Sequence, residues 1–294
     1  MGSSIDATFF FPPFAVDTFE ACHQYLLLHQ ESVHQLSIAE KSLIPAGKDT
    51  FFLTGYCFIC KRKSRLLVDY SYSYLDSGVL MPNWKERLVC QRCQFNSRMR
   101  SSFHIFLKEV KPVVDSKIYI TEQQTSFYAL MKKSYPAVTG SEFLNNMIPN
   151  GETDSNGIRN EDLTKLSFSD GMFDYILSFD CFEHIQAYKI AFAECYRCLK
   201  SSGVLFFTVP FNKDECKNLV RAGIDETGRV IHYLPPEYHG NPLNAEGSLC
   251  FYFFGWELLE EVKAVGFRDV KALLYWSGEY GYLGGLNVKF LAKK

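Results

Sequence analysis

No run of 18 apolar residues occurs in this 294-residue chain, which excludes a hydrophobic helix long enough to span a bilayer. The first thirty residues also lack the basic start, continuous apolar stretch and small-residue cleavage site of a secretory leader. MGSSID misses the myristoylation pattern, because Asp6 stands where Ser or Thr is required. The formal net charge is only −2, which gives no electrostatic reason to expect a long nucleic-acid footprint, although KRKSR (61–65) and RMR (98–100) are local basic groups. Low-complexity runs and internal repeats are absent. With 47% hydrophobic and 22% charged residues the composition is globular. These absences predict a soluble cytoplasmic protein with no membrane partner, whose ten cysteines are thiols or metal ligands rather than disulfides.

Four regions follow from pattern. Residues 1–50 read as an amino-terminal helical extension, with Phe19, Cys22, Leu26 and Leu27 at helical spacing. Residues 51–110 hold paired cysteines and lead out through a helix carrying Phe103, Phe106 and Val110, which Pro112 punctuates. From residue 111 to 294 strands and helices alternate, as in a doubly wound parallel sheet. KIYIT (117–121), AVTGSE (137–142), GIRNED (157–162), FDYILSF (173–179) and VLFFTVP (204–210) read as successive strands. Thr125 or Ser126 caps the helix after the first. Tyr188, Phe192, Cys195 and Leu199 line the helix after the fourth, and Ser201 to Gly203 turn the chain into the fifth. Residues 211–255, rich in His, Pro, Tyr and Gly, form an irregular insertion on the expected substrate side. WELLEEVKAVGF (256–267) is an amphipathic helix stopped by Gly266, and DVKALLYW (269–276) and NVKFLAKK (287–294) are two final strands.

The sharpest local motif is Cys57-x2-Cys60 followed by Cys90-x2-Cys93. Two residues between thiolates let each pair wrap one ion, and two such turns close a four-sulfur tetrahedron with no position for water. A structural zinc ion is expected, contributing folding free energy on the order of 10 kcal/mol; an iron–sulfur cluster is the alternative occupant. Cys195 and Cys198 share this spacing but lie within a helix, facing the core.

In a doubly wound sheet, cofactors lie across the carboxyl ends of the strands, where a carboxylate after the second strand can take ribose hydroxyls. Glu142 stands there, Asp162 follows the third strand and Asp180 the fourth. The stretch EDLTKLSFSDGMFDYILSFDCFEHI (161–185), with AECYRCLKSSGVLFFTVPF (193–211) and FFGWELLEEVKAVGFRDV (253–270), resembles class I S-adenosylmethionine-dependent methyltransferases of the type-11 group. The likeness covers about 113–294. It implies a seven-stranded Rossmann-like sheet behind a small zinc module, with S-adenosyl-L-methionine as cofactor. Glu142 would then lie on its ribose, Asp162 and Leu163 at its adenine, and Asp180 near its amino-acid end. One departure stands out: ITEQQTSF (120–127) has no glycine where such enzymes carry a glycine-rich turn. Glu122 and Gln123 are expected to contact the cofactor by side chain instead, and Gly140 and Ser141 to supply the close backbone approach.

Methyl transfer asks the protein to align donor and acceptor and to remove a proton where the acceptor carries one. His184 and His239 are the candidate bases, His232 a weaker one, and Tyr233, Tyr238 and Trp276 candidate pocket aromatics. The expected partner is a small-molecule acceptor, a sugar or specialised metabolite. A zinc-containing rRNA or tRNA methyltransferase and a non-catalytic scaffold are the alternatives.

Overall fold

A computed structural model describes residues 12–144, 148–241 and 243–294; MGSSID and its Asp6 lie outside the described residues. The chain divides into two compact units. One gathers Glu20–Lys111 with Leu273–Lys289 and the residues up to Val16; the other holds Asp17–Phe19, Pro112–Ala272 and Phe290–Lys294.

In the first unit, β1 (Phe14–Val16), α1 (Phe19–Leu28) and α2 (Gln30–Ser42) precede an antiparallel hairpin of β2 (Thr50–Cys57) and β3 (Arg62–Asp69). Strict alternation of buried and exposed residues along β2 is what a strand with one covered face requires. A short ribbon, β4 (Tyr74–Asp76) with β5 (Val79–Met81), and the single helical turn α3 (Trp84–Arg87) lead to β6 (Leu88–Cys90), which pairs with β3. The next helix, α4 (Ser97–Glu109), starts where the Asn96 side chain accepts a hydrogen bond from the Met99 amide at 2.8 Å. It buries Phe103 and Phe106, as their spacing predicts, and Val110 is its C-cap. Trp276, expected to line an acceptor pocket, is instead buried in this unit's core with Leu36, Leu53, Leu66 and Trp84. Its indole N–H donates to Glu40 Oε1 at 2.7 Å. The same oxygen accepts the amides of Gly284 and Gly285 at 2.8 and 3.0 Å, so the buried carboxylate is held by three donors.

The second unit is built on β7 (Ile118–Ile120), α5 (Ser126–Ser134), β8 (Val138–Gly140), β9 (Phe173–Phe179), α6 (Tyr188–Cys198) and β10 (Leu199–Thr208). Thr125 caps α5 through its hydroxyl, which accepts the Tyr128 amide at 3.1 Å. The insertion folds as three two-stranded ribbons: β11 (Leu219–Val220) with β16 (Tyr252–Phe253), β12 (Ala222–Ile224) with β13 (Val230–His232), and β14 (Tyr238–Asn241) with β15 (Asn244–Leu249). After α7 (Glu257–Val265), closed by Gly266 at φ 127°, come β17 (Asp269–Ser277) and β18 (Tyr282–Lys293). The main sheet has seven strands in the order β1-β17-β18-β10-β9-β7-β8. β7 pairs in parallel with both β8 and β9, β9 with β10, while β18 runs antiparallel to β10.

Two strand readings need correction. GIRNED makes only isolated bridges, Glu142 to Asn160 and Thr153 to Arg159. The Asp154 carboxylate accepts the amides of Asn156 and Ile158 and curls the chain into a turn with Gly157 at φ 80°, so the seventh place in the sheet falls to β1. Leu199 belongs to β10 rather than α6: it pairs with Phe173, the ladder breaks, and pairing resumes at Val204 with Tyr175. The turn expected at 201–203 is a bulge inside one strand, with Ser202 at φ 67°. Cys195 and Cys198 are fully buried on α6.

His104, on α4, is buried face to face with Phe58 at 3.7 Å between ring centroids. Burial pushes its imidazole down to about 4 from an ordinary 6.5. The unfolded chain therefore takes up the proton first, and the stability this neutral ring confers is complete above pH 6.5 and lost as pH falls toward 4. His104→Phe keeps the stacked ring and removes the titration. Urea unfolding at pH 7 and pH 4.5 should show the wild type losing about 2 kcal/mol more than the variant over that interval; equal losses would remove His104 from the acid response.

Candidate functional site

The four cysteines come together in the first unit. Cys57 ends β2, Cys90 ends β6, and Cys60 and Cys93 lie in the turns that follow. Cys57 Sγ is 3.7 Å from Cys93 Sγ and Cys60 Sγ 3.9 Å from Cys90 Sγ, and all four lie within 4.8 Å of one another. Metal–sulfur bonds of about 2.3 Å in a tetrahedron put the sulfurs about 3.8 Å apart, so the spacing is that of a ligand set. The two turns share one conformation: Lys61 and Gln94, each following the second cysteine of its pair, take φ of 53° and 62°. The shared Cys57–Cys93 hydrogen bond lowers Cys57 to about 5 and drives Cys93 upward, and burial pushes Cys60 up to about 11. Thiols this close cannot all ionise unless a cation sits among them.

In the second unit the carboxyl ends of β7, β8 and β9 carry the residues read as cofactor contacts. Glu142, just past β8, accepts the backbone amides of Gln123 and Gln124 on Oε1, both at 2.7 Å. Burial raises its pKa, and those two amides partly offset the rise. The turn after β7, which lacks glycine, is thus held by a carboxylate. The Gln123 side chain spans two loops: its Nε2 donates to the Gly157 carbonyl at 2.8 Å and its Oε1 accepts the Arg159 amide at 2.9 Å. Gln123 thus braces two loops. Glu122 sits half-buried at the head of the turn.

Gly140 and Ser141 follow at the end of β8. A Cβ on Gly140 would stand 2.5 Å from the Tyr128 ring and 2.6 Å from the Glu122 carbonyl, so the glycine is required by the protein's own packing. Ser141 is buried and its hydroxyl bonds that of Tyr119 at 2.7 Å. Asp162 accepts the Thr164 amide and hydroxyl on Oδ1, at 2.8 and 2.7 Å, with Leu163 buried beside it. Asp180 is held at φ 48°, and its amide donates to the Thr208 carbonyl and hydroxyl at 3.0 and 3.1 Å.

A single 3-10 turn, Phe182–His184, follows β9. His184 is half-buried there, with Nδ1 2.8 Å from the Leu249 carbonyl, and burial lowers its pKa. His239, on β14, meets the same turn: its Nδ1 is 3.4 Å from Glu183 Oε1, a contact that raises its pKa. The two candidate bases are thus neighbours, with ring centroids 5.0 Å apart and planes crossing at 85°. His232 lies exposed on β13, and Tyr233 and Tyr238 are exposed too. Glu183 lies between the two histidines. It is completely buried, and burial pushes it up to about 7. Asp180, Glu183 and His184 stand close together in sequence, whereas nothing in the sequence brings His239 to them.

Residues 124–207 match the family model of the methyltransferase domain. Solved structures similar to the chain include an S-adenosylmethionine-dependent methyltransferase from Mesorhizobium loti, 16% identical over 66% of this chain and 98% of that one, with a TM-score of 0.42. Another is a putative enzyme of the same description from Listeria monocytogenes, 16% identical over 66% and 97%, TM-score 0.39. A third is the Burkholderia thailandensis 1,6-didemethyltoxoflavin-N1-methyltransferase with bound S-adenosylhomocysteine, 15% identical over 67% and 77%, TM-score 0.38. No curated protein matches the chain. The family match runs from the turn before α5 into β10, so this part of the second unit is similar to a methyltransferase domain.

Gly140→Ala tests how the turn is packed. The added methyl must displace the Glu122 backbone or the Tyr128 ring, so unfolding free energy should fall by about 1–3 kcal/mol. A thermal midpoint unchanged from wild type would show that the turn yields without cost.

Proposed function

We propose that the second unit methylates a small-molecule acceptor, with Glu142, Asp162, Leu163, Asp180 and Glu122 holding the cofactor, and that the four cysteines of the first unit bind a structural zinc ion. The observation that carries the cofactor reading is the position of Glu142. Its two amide bonds leave part of the carboxylate's acceptor capacity for a ribose diol, since a carboxylate offers about four acceptor sites. Asp162, with both donors on one oxygen, keeps its second oxygen for an adenine amino group by the same count. S-adenosylmethionine supplies an electrophilic methyl group on sulfur; the chain's own work is to orient the reactants and accept a proton. His239 and His184 stand where the insertion meets the end of β9, which suits that second task.

The charge of the insertion favours a small acceptor over a nucleic acid. Its four cations are each paired: Lys213 with Asp214, Lys217 with Glu257, Arg221 with Glu237 and Arg229 with Asp225. Its exposed side chains include Leu219, Val220, Ile224, Val230, Ile231 and Tyr233. Phosphate recognition needs cations free to release counterions, whereas an apolar wall suits an organic acceptor.

Calorimetry with S-adenosylhomocysteine checks the cofactor site. Wild-type protein should bind, and Glu142→Ala should weaken binding by about 1.5–3 kcal/mol. No heat with the wild type would turn the reading to a scaffold, and an unchanged variant would take Glu142 out of the site. For the zinc, metal analysis should give one ion held by thiolates, and a strong chelator should unfold the first unit. A metal-free chain that melts at the same temperature would dismiss it.

A further inference from the structure

We propose that Glu183, His184 and His239 form a divalent metal site in the second unit, separate from the cysteine cluster, with one carboxylate oxygen and two imidazole nitrogens as ligands and a further position open. Glu183 is fully buried, and neither carboxylate oxygen makes a well-formed hydrogen bond. A buried carboxylate with no donor costs several kcal/mol and needs a cation or a proton beside it. What the protein places beside it is two imidazole nitrogens, His239 Nδ1 at 3.4 Å and His184 Nε2 at 3.6 Å from Oε1. These separations are long for hydrogen bonds. They match neighbouring ligands on one ion, because metal–nitrogen and metal–oxygen bonds of 2.0–2.1 Å in a tetrahedron set ligand atoms about 3.4 Å apart. The three atoms all lie within 4.8 Å of one another.

The far nitrogen of each ring supports the same assignment. His184 Nδ1 lies 2.8 Å from the Leu249 carbonyl oxygen. A carbonyl only accepts, so Nδ1 carries the hydrogen and Nε2 turns its lone pair toward Glu183. His239 Nε2 faces a carboxylate too, Glu237 Oε1 at 3.4 Å, while its Nδ1 faces Glu183. Metal-binding histidines are oriented in this way, by a carbonyl or carboxylate behind the ring. One carboxylate oxygen and one nitrogen of each ring then face a common point, where a divalent cation would be held by all three.

Two imidazoles and one carboxylate suit a zinc-like ion, and three protein ligands leave a position for water or an oxygen of another molecule. The use of that position on an acceptor rests on the methyl-transfer reading; the site itself does not.

Cobalt(II) titrated into the full-length protein tests the site, with bound metal counted by elemental analysis. Absorbance separates thiolate-bound cobalt, which has an intense sulfur-to-metal band in the near ultraviolet, from cobalt on nitrogen and oxygen, which shows only weak visible bands. The expected result is a cobalt ion without thiolate character that survives Cys57→Ser and is weakened about a hundredfold or more in both Glu183→Gln and His239→Ala. His239 lies on a part-exposed ribbon, so its variant should fold, and a retained thiolate band or unchanged circular dichroism would verify that. Wild-type protein with no cobalt beyond that on thiolates would overturn the proposal. So would a nitrogen- and oxygen-bound ion that persists in both variants.

Discussion

The carboxylate of Glu142 is the fixed point from which the candidate cofactor region is built. A turn rich in glycine can bring its backbone against a ligand because it carries no side chains to move aside. The turn Thr121 to Thr125 has none, and its path is set instead by two amide hydrogens aimed at one oxygen of Glu142. Gln123 carries that constraint onward to Gly157 and Arg159, and the Glu142 amide itself donates to the Arg159 carbonyl at 2.9 Å. The ends of β7 and β8 and the 157–160 loop are therefore one hydrogen-bonded unit. Moving any of them breaks charge-assisted bonds to Glu142, which are worth more than ordinary amide–carbonyl bonds.

Two fully or nearly buried glutamates show opposite answers to the same electrostatic problem. Glu40 receives an indole and two glycine amides on one oxygen, which stabilises its charged form and offsets the rise in pKa that burial imposes. That is a structural solution, complete without any further species. Glu183 has no such donors, and its neighbours are one imidazole nitrogen each of His184 and His239. A carboxylate left in that condition is the mark of a site that must take something from outside.

Much of this was legible beforehand where local physics decides. FDYILSF is β9 residue for residue, because an apolar run between turn formers has few other options. The Thr125 cap, the Gly266 stop and the cysteine pairs likewise follow from chemistry within a few residues. The failures share a cause. GIRNED was read by position in an alternating series, yet the Asp154 side chain folds it into a turn before it can extend. Leu199 keeps helical spacing while its backbone has already entered the ladder with Phe173. Trp276 was grouped with exposed tyrosines, but its partner, Glu40, is more than two hundred residues away in sequence.

The insertion is the part that sequence described least, and its attachment explains why His239 is where it is. Bonds that join it to the region after β9 include those from the Phe251 amide to the Glu183 carbonyl at 2.8 Å, from His184 Nδ1 to the Leu249 carbonyl, and from the Tyr252 hydroxyl to the Gln186 carbonyl at 2.8 Å. Within the insertion, the Cys250 amide donates to the Glu237 carbonyl at 2.8 Å, which fixes the strand carrying His239 against the one carrying Leu249. A loose loop could not hold an imidazole nitrogen near a buried carboxylate against the entropy of ordering it. Because the ribbon is bonded on both sides of Cys250, His239 and Glu183 are placed by backbone, and their approach is a property of the fold rather than of one flexible side chain.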